Sequence, residues 1–243
     1  MESSELILCV GIFVVALLYS SVGHAGASGY IAVMALAEIS ATIIRPTALL
    51  LNIVVATIGS IQFIRAGHFR WRLFWPFAVL SIPAAYLGGA IAIPTKTLKI
   101  AIGCVLLASA VRLLIQLRPA TEFRPVGRPV ALVTGGLLGF LAGLTGTGGG
   151  IFLTPLIILM RWASTKEAAA VSVAYILVNS VSGLLGNLWN GVQFPSFTLP
   201  LILVVVVGGF IGSSLGSRRF SVPIIHLLLA TVLIMAGYKL VFM

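Results

Sequence analysis

Ten apolar segments of roughly helix length in lipid follow one another along the 243-residue chain, with charge almost absent inside them. They run over 6–22, 30–44, 47–64, 74–93 and 100–117, then after a polar stretch over 130–145, 151–160, 168–189, 199–217 and 222–242. A membrane-spanning helix needs about 20 apolar residues. Most segments approach that length, while 30–44 and 151–160 fall short. Only 8% of residues are charged and the mean hydropathy is +1.17, against about 25% charge in a soluble domain. The pattern predicts an all-α polytopic membrane protein whose surroundings are a lipid bilayer. Glu2 and Glu5 precede Leu6 with no Lys or Arg. That is the wrong charge for a cleaved leader, so 6–22 is expected to stay in the chain.

Two stretches interrupt the apolar pattern. Gly146-Thr147-Gly148-Gly149-Gly150 is followed by Ile151-Phe152-Leu153-Thr154-Pro155, and Gly23-His24-Ala25-Gly26-Ala27-Ser28-Gly29 is followed by Tyr30-Ile31-Ala32-Val33-Met34. Each Gly costs a helix interior about 1 kcal/mol relative to Ala, so both read as breaks between helices. A close contact between neighbouring helices would also use small residues. The repetition of the device favours a duplicated break. Gly29 pairs with Gly150 at a spacing of 121, Asn52 with Asn179 at 127, and Gly67, Pro76 and Gly88 with Gly191, Pro200 and Gly212 at 124. The chain therefore divides into a first membrane repeat over 1–117, a cytoplasmic linker over 118–129 and a second repeat over 130–243.

Charge chooses the topology. If each broken unit crossed the membrane once, the inner loops would hold seven of the 15 Lys and Arg, which is no bias. If each unit enters and returns, eleven fall inside, and only Arg45, Lys96, Lys99 and Lys239 stay outside. The positive-inside rule selects the second arrangement. It gives two inverted repeats, each a Gly-broken helical hairpin plus three transmembrane helices, eight to ten membrane segments in all. The N-terminus is then outside. The net charge of +10 is accounted for by these loops and does not call for nucleic acid. Cys9 and Cys104 lie in separate apolar segments and read as two buried thiols. No catalytic set, metal cluster or cofactor motif stands out.

In this arrangement the two tips meet near the middle of the membrane, where inverted-repeat transporters hold their substrate. A helix that starts at a Gly break presents free N–H groups and the positive end of its dipole, which suits an anion. The candidate substrate-binding residues are Gly23, His24, Gly26, Ser28, Gly29, Asn52, Thr145, Gly146, Thr147, Gly148, Gly149, Gly150 and Asn179. His24 reads as a ligand or proton carrier, or as a neutral hydrogen-bonded core histidine. Ser28, Thr145 and Thr147 could serve the anion or satisfy local backbone. Asn52 and Asn179 could face substrate, support a hinge or bond between helices. Arg45 and Glu38 read as interfacial, with a role in coupling as the other reading, and Trp71, Trp75, Trp162 and Trp189 as interfacial anchors.

The stretches at 23–30 and 146–155, each followed by a helix carrying Asn in a duplicated chain of this length, resemble the TauE/SafE family of sulfite exporter-like membrane proteins. The resemblance covers nearly the whole sequence. It implies a carrier for small sulfur-containing anions such as sulfite, sulfoacetate and related organosulfonates, working outward across a bacterial inner membrane. Ala25 and Ala27 stand where that family often has glycine, which implies a stiffer first tip and unequal roles for the two repeats. An anion channel or a membrane scaffold without a ligand are the other readings of the same residues. A homodimer is compatible with the sequence, and no motif specifies one.

Overall fold

The computed structural model describes residues 3–91, 122–191 and 194–242, together with Leu106, Leu107, Ala110, Val111 and Leu114. The rest of the segment expected at 100–117, the start of the linker, and Cys104, Arg112 and Gln116 lie outside the described residues. Among the described residues there are nine α-helices: α1 Ser3–Ser21, α2 Ala27–Leu36, α3 Ala41–Arg65, α4 Trp71–Ala90, α5 Arg128–Thr145, α6 Gly150–Leu159, α7 Thr165–Asn187, α8 Thr198–Ser214 and α9 Val222–Phe242. Thr42–Arg65, Trp71–Ala90, Arg128–Thr145, Thr165–Asn187 and Thr198–Arg219 are long and apolar enough to cross a membrane. The chain is an all-helical polytopic membrane protein.

The apolar run at 30–44 is not one segment. α2 stops at Leu36, and α3 begins at Ala41 and carries Pro46 within its first turns. The stop is built by Glu38 in the left-handed conformation (φ 57°), with Ile39 N donating to Met34 O at 3.1 Å. α6 ends the same way. Arg161 has φ 57° and Trp162 N donates to Ile157 O at 3.0 Å. Such left-handed helix ends normally use Gly, so a charged residue at matching places in two ten-residue helices is a second trace of duplication.

Glycine decides which helices touch. A Cβ on Gly139 would lie 2.5 Å from Ser81 Cα, and one on Gly135 or Gly143 would run into the carbonyls of Phe77 or Ala85. These matched spacings mean that α4 and α5 run in the same direction with their backbones in contact, as small residues allow in lipid. α1 repeats the arrangement with α8 and the π-helical turn Leu215–Arg219 that continues it, with Gly208, Gly212 and Gly216 against the carbonyls of Phe13, Leu17 and Ser21. Ser182 Oγ donates to Ile82 O at 2.5 Å, which ties α7 to α4.

Most of the charge expected inside gathers at one end of this bundle. Arg70 pairs with Glu167 at 3.4 Å, His68 Nε2 and Lys166 Nζ donate to Ser217 O at 3.0 and 3.5 Å, and Arg124 N donates to Arg161 O at 2.8 Å. The last bond joins the feet of α5 and α6, so this hairpin leaves and returns at the same end. Arg45 lies at the other end, beside Gly88, Gly89 and Ile91. Trp71 and Trp189 are exposed, while Trp162 packs on Phe77.

Candidate functional site

Each hairpin turns on left-handed glycines at equivalent places. Gly23 (φ 78°) and Gly146 (φ 74°) end the long legs α1 and α5. Gly26 (φ 102°) and Gly149 (φ 83°) precede the short legs α2 and α6. The common spacing is 123, so His24 corresponds to Thr147 and Ala27 to Gly150. This differs from the spacing of 121 read from the sequence. Gly29 sits inside α2, where its Cα faces Val15, and it is Gly26 that shares the role of Gly149. Ala25 and Ala27 do not take the left-handed conformation, so neither strains the first tip, but Ala25 stands where the second tip has the left-handed Gly148, and the two turns differ there.

The two tips meet. His24 Nε2 donates to Gly150 O at 3.1 Å across 126 residues of chain. Asn52, from the middle of α3, sits between the tips. Its Oδ1 accepts from Ala27 N at 2.9 Å, and its Nδ2 donates to Thr147 O and to Ser180 Oγ, both at 3.3 Å. One amide therefore caps the start of α2, holds the second tip and reaches α7. The left-handed Gly148 is packed against the same group. A Cβ there would lie 2.7 Å from Ser180 Oγ and 2.8 Å from Asn52 Nδ2. His24, Ser28, Asn52 and Thr147 are only 2, 9, 0 and 8% exposed, so the tips are closed from both ends of the bundle.

The other candidate residues divide. Thr145 Oγ1 donates to Leu141 O at 2.7 Å and meets Thr147 Oγ1 at 2.9 Å, so it finishes α5 and steadies the second tip. Ser28 Oγ donates to the Tyr19 hydroxyl at 3.1 Å, behind the first tip. Asn179 is 1% exposed and bonds to neither tip. It lies beside the Tyr175 hydroxyl, whose proton goes to Gly135 O at 2.7 Å. Neither polar atom of its amide closes a hydrogen bond of ordinary geometry.

The start of α6 keeps its charge-seeking character. No side chain caps it, and its first N–H groups have no partner within the helix. The start of α2 has already been taken by Asn52. Of the two helix starts, only that of α6 has no side-chain acceptor for its first N–H groups among the described residues.

Arg45 is part of this region, although the sequence suggested an interfacial place first and a role in coupling only second. Nη2 donates to the carbonyls of Gly88, Gly89 and Gly143 at 2.9, 3.1 and 2.5 Å, Nη1 donates to Ile91 O at 3.2 Å, and the side-chain stem packs on Gly146. A cation over the ends of two helices is favourable. Its seven-residue spacing from Asn52 puts both on one face of α3, and that was the signal available in the sequence. Ser180 was hidden as the neighbour of Asn179.

The sequence profile of the family described as sulfite exporter TauE/SafE matches residues 7–240. The chain is 38% identical over 245 residues to the probable membrane transporter protein y4hK of Sinorhizobium fredii, covering 99% of each chain. It is 27% identical over 254 residues to the probable membrane transporter protein YjnA of Bacillus subtilis, covering 97% of this chain and 98% of the relative. No solved structure matches it. With buried, glycine-turned hairpins at its centre and a family match along almost its whole length, the chain belongs to the TauE/SafE family of membrane transporters.

Proposed function

We propose that this transporter exports a small sulfur-containing anion, sulfite, sulfoacetate or a related organosulfonate, and that the anion binds between the two hairpin tips. The observation that carries the reading is the junction at Asn52. There two short helices far apart in sequence begin at buried left-handed glycines, within reach of one amide. A helix start binds an anion through its N–H groups and dipole without a buried Lys or Arg. Substrate would enter against the uncapped start of α6, with Thr147 and His24 at its sides.

The reciprocal packing supports an inverted repeat. α4 of the first half lies along the long leg of the second hairpin, and α8 of the second half along the long leg of the first. The first pair runs away from the Arg-rich end and the second pair runs toward it. With that end inside a bacterial inner membrane, the N-terminus is outside. Export of one negative charge is then favoured by about 2.3 kcal/mol per 100 mV, so the transport can run as a uniport. The closed tips favour a carrier over a channel, since substrate reaches them only when the hairpins move.

Flux in proteoliposomes tests this with sulfoacetate, sulfite, sulfate, taurine and acetate as the panel, and Gly149→Leu as the control. Gly149 is left-handed and its added Cβ would meet Ala142 Cβ at 2.9 Å and Tyr175 Cε1 at 3.0 Å. Saturable flux of sulfite or a sulfonate, lost in the control, is expected. A folded protein that moves none of the panel would overturn the exporter reading.

A further inference from the structure

Reciprocal contacts fix how α3 and α7 correspond. A Cβ on Gly23 would meet Ala169, and one on Gly146 would meet Arg45. A Cβ on Gly59 would meet Val173, and one on Gly183 would lie 4.0 Å from Leu49. Within α3 and α7 these partners repeat at the spacing of the helix starts, Ala41 and Thr165. The counterpart of Asn52 is therefore Ile176, and that of Ala27 is Gly150. In the first half Asn52 Oδ1 accepts from Ala27 N at 2.9 Å and so caps α2. In the second half Ile176 stands against Gly150, with its Cδ1 and Cγ1 where a Cβ of that residue would be. An isoleucine has no acceptor to give. Among the described residues nothing accepts from Gly150 N or Ile151 N. One turn earlier on the same face of α7 lies Ser172, whose carbonyl would be 3.2 Å from a Cβ on Gly150. Its hydroxyl is buried and bonds to no group among the described residues. A buried helical Ser commonly returns its proton to the carbonyl four residues back. This one does not, and its counterpart in the first half is Ala48, which has no hydroxyl. Donors without an acceptor therefore gather at the start of α6, where the other half has an amide oxygen.

We propose that an oxygen of the anion itself caps α6. It accepts from Gly150 N and Ile151 N, with Ser172 Oγ as a third donor, and Ile176 reserves the place by bringing no acceptor of its own. This rests on the anion-transport reading above and names residues that hold the ligand. Leaving buried donors without a partner is costly, and a charged oxygen makes the shorter and stronger bonds to them. The positive end of the α6 dipole adds to the attraction. These donors suit a deprotonated oxyanion group and not an ammonium. The ligand completes the second tip as Asn52 completes the first. Ser172 is then a binding residue, and position 176 decides whether the acceptor at α6 comes from the protein or from the substrate.

Backbone hydrogen exchange over 148–152, read by mass spectrometry on the purified protein in detergent, tests this. The probes are sulfite, sulfoacetate, sulfate, taurine and acetate. In the parent, sulfite or sulfoacetate should slow exchange there. Ile176→Asn gives the second half the amide of the first. It should slow exchange at the start of α6 about fivefold with no anion present, the worth of one net hydrogen bond, and lose the response to anion. A substitution that only loosened the packing would speed exchange instead. Ser172→Ala should keep the parent's unfolding temperature and need about tenfold more anion for the same protection, since it removes one bond to a charged group. If Ile176→Asn does not fold, Ser172→Ala decides alone. A folded Ile176→Asn protein with no slower exchange at α6, or a Ser172→Ala protein with the parent's anion response, would overturn the proposal. So would a parent in which no anion of the panel slows exchange at α6. Slowed exchange without flux would refute export and leave this site standing, and flux without slowed exchange would do the reverse.

Discussion

Gly148→Ala isolates what the second tip requires of its backbone. Gly148 has φ 74°, and Gly67 and Gly191 have φ 77° and 70°. Alanine in that conformation costs about 1–2 kcal/mol at any of the three sites. Only at Gly148 is the space also taken. The new Cβ would stand 2.7 Å from Ser180 Oγ and 2.8 Å from both Asn52 Nδ2 and Ile176 Cγ2, while at Gly67 and Gly191 nothing lies within 4 Å. Overpacking adds about 1–3 kcal/mol. Displacing Asn52 Nδ2 weakens two hydrogen bonds at about 0.5–1.5 kcal/mol each. Gly148→Ala should therefore cost about 3–8 kcal/mol in total, and the two controls about 1–2. At about 2–4 °C per kcal/mol for a chain near this size, thermal unfolding in one detergent should separate Gly148→Ala from both controls by 5 °C or more (roughly, on the same scale). Equal losses at all three sites would show that the tip is not packed around Asn52 as described.

Three other perturbations probe different parts of the frame. Arg45→Lys keeps the charge but loses the fork that reaches three glycine carbonyls and Ile91 O; it should lower stability by about 1–3 kcal/mol in thermal unfolding, with Arg45→Met worse. Glu167→Ala and Arg70→Gln break the same ion pair. Arg70, 54% exposed in its side chain, should cost under about 1 kcal/mol. Glu167→Ala should cost about 1–2, because Glu167 also completes the capping box with Ser164 at the start of α7, and equal losses in an unfolding comparison would contradict that division. Tyr175→Phe removes the bond to Gly135 O and should cost about 1 kcal/mol, measured in the same way.

What could be read from the sequence was whatever leaves a mark on composition. Membrane helices show as apolar length, and α7 and α9 came out near their observed bounds for that reason. The expected return of the second hairpin was drawn from Arg counts, because orientation is written in loop charge, and Arg124 and Arg161 at its two feet lie together. Asn52 stood out as a polar group at membrane depth, where polarity is expensive. The end of α2 was missed because its stop is a left-handed Glu38, and a charged residue in that conformation has no sequence mark of the kind Gly provides. The register of the tips slipped by two residues for a related reason. Gly29 is a packing glycine under Val15, and only backbone angles distinguish it from the turning glycines at 23 and 26. Asn179 was paired with Asn52 at a spacing of 127, but α3 and α7 begin 124 residues apart, at Ala41 and Thr165, so Ile176, which packs on Gly148 and Gly150, holds the place of Asn52. Only the helix starts reveal that three-residue difference, and composition does not encode them.

The glycine seams between helices indicate which parts of the fold can move. The long legs are held by backbone contact: α5 lies on α4 through Gly135, Gly139 and Gly143, and α1 lies on α8 through Gly208, Gly212 and Gly216. Interlocked seams of this kind resist sliding, since any shift drives carbonyls into Cα positions. The short legs have no such seam. Each is ten residues long, starts at left-handed glycines and ends at a left-handed charged residue, so it is joined to the frame by turns at both ends. α2 and α6 also carry the helix starts proposed to meet the anion. The architecture therefore separates a frame of long helices in backbone contact from two short helices joined to it by turns at both ends, and under the proposed carrier reading it is the short helices that would move. A cross-link that pins α5 to α4 should leave transport intact, whereas one that pins α6 to α7 should stop it. Flux measured before and after oxidation of engineered cysteine pairs at those two contacts would distinguish this division from a rigid-body motion of whole hairpins, in which both cross-links would arrest the protein.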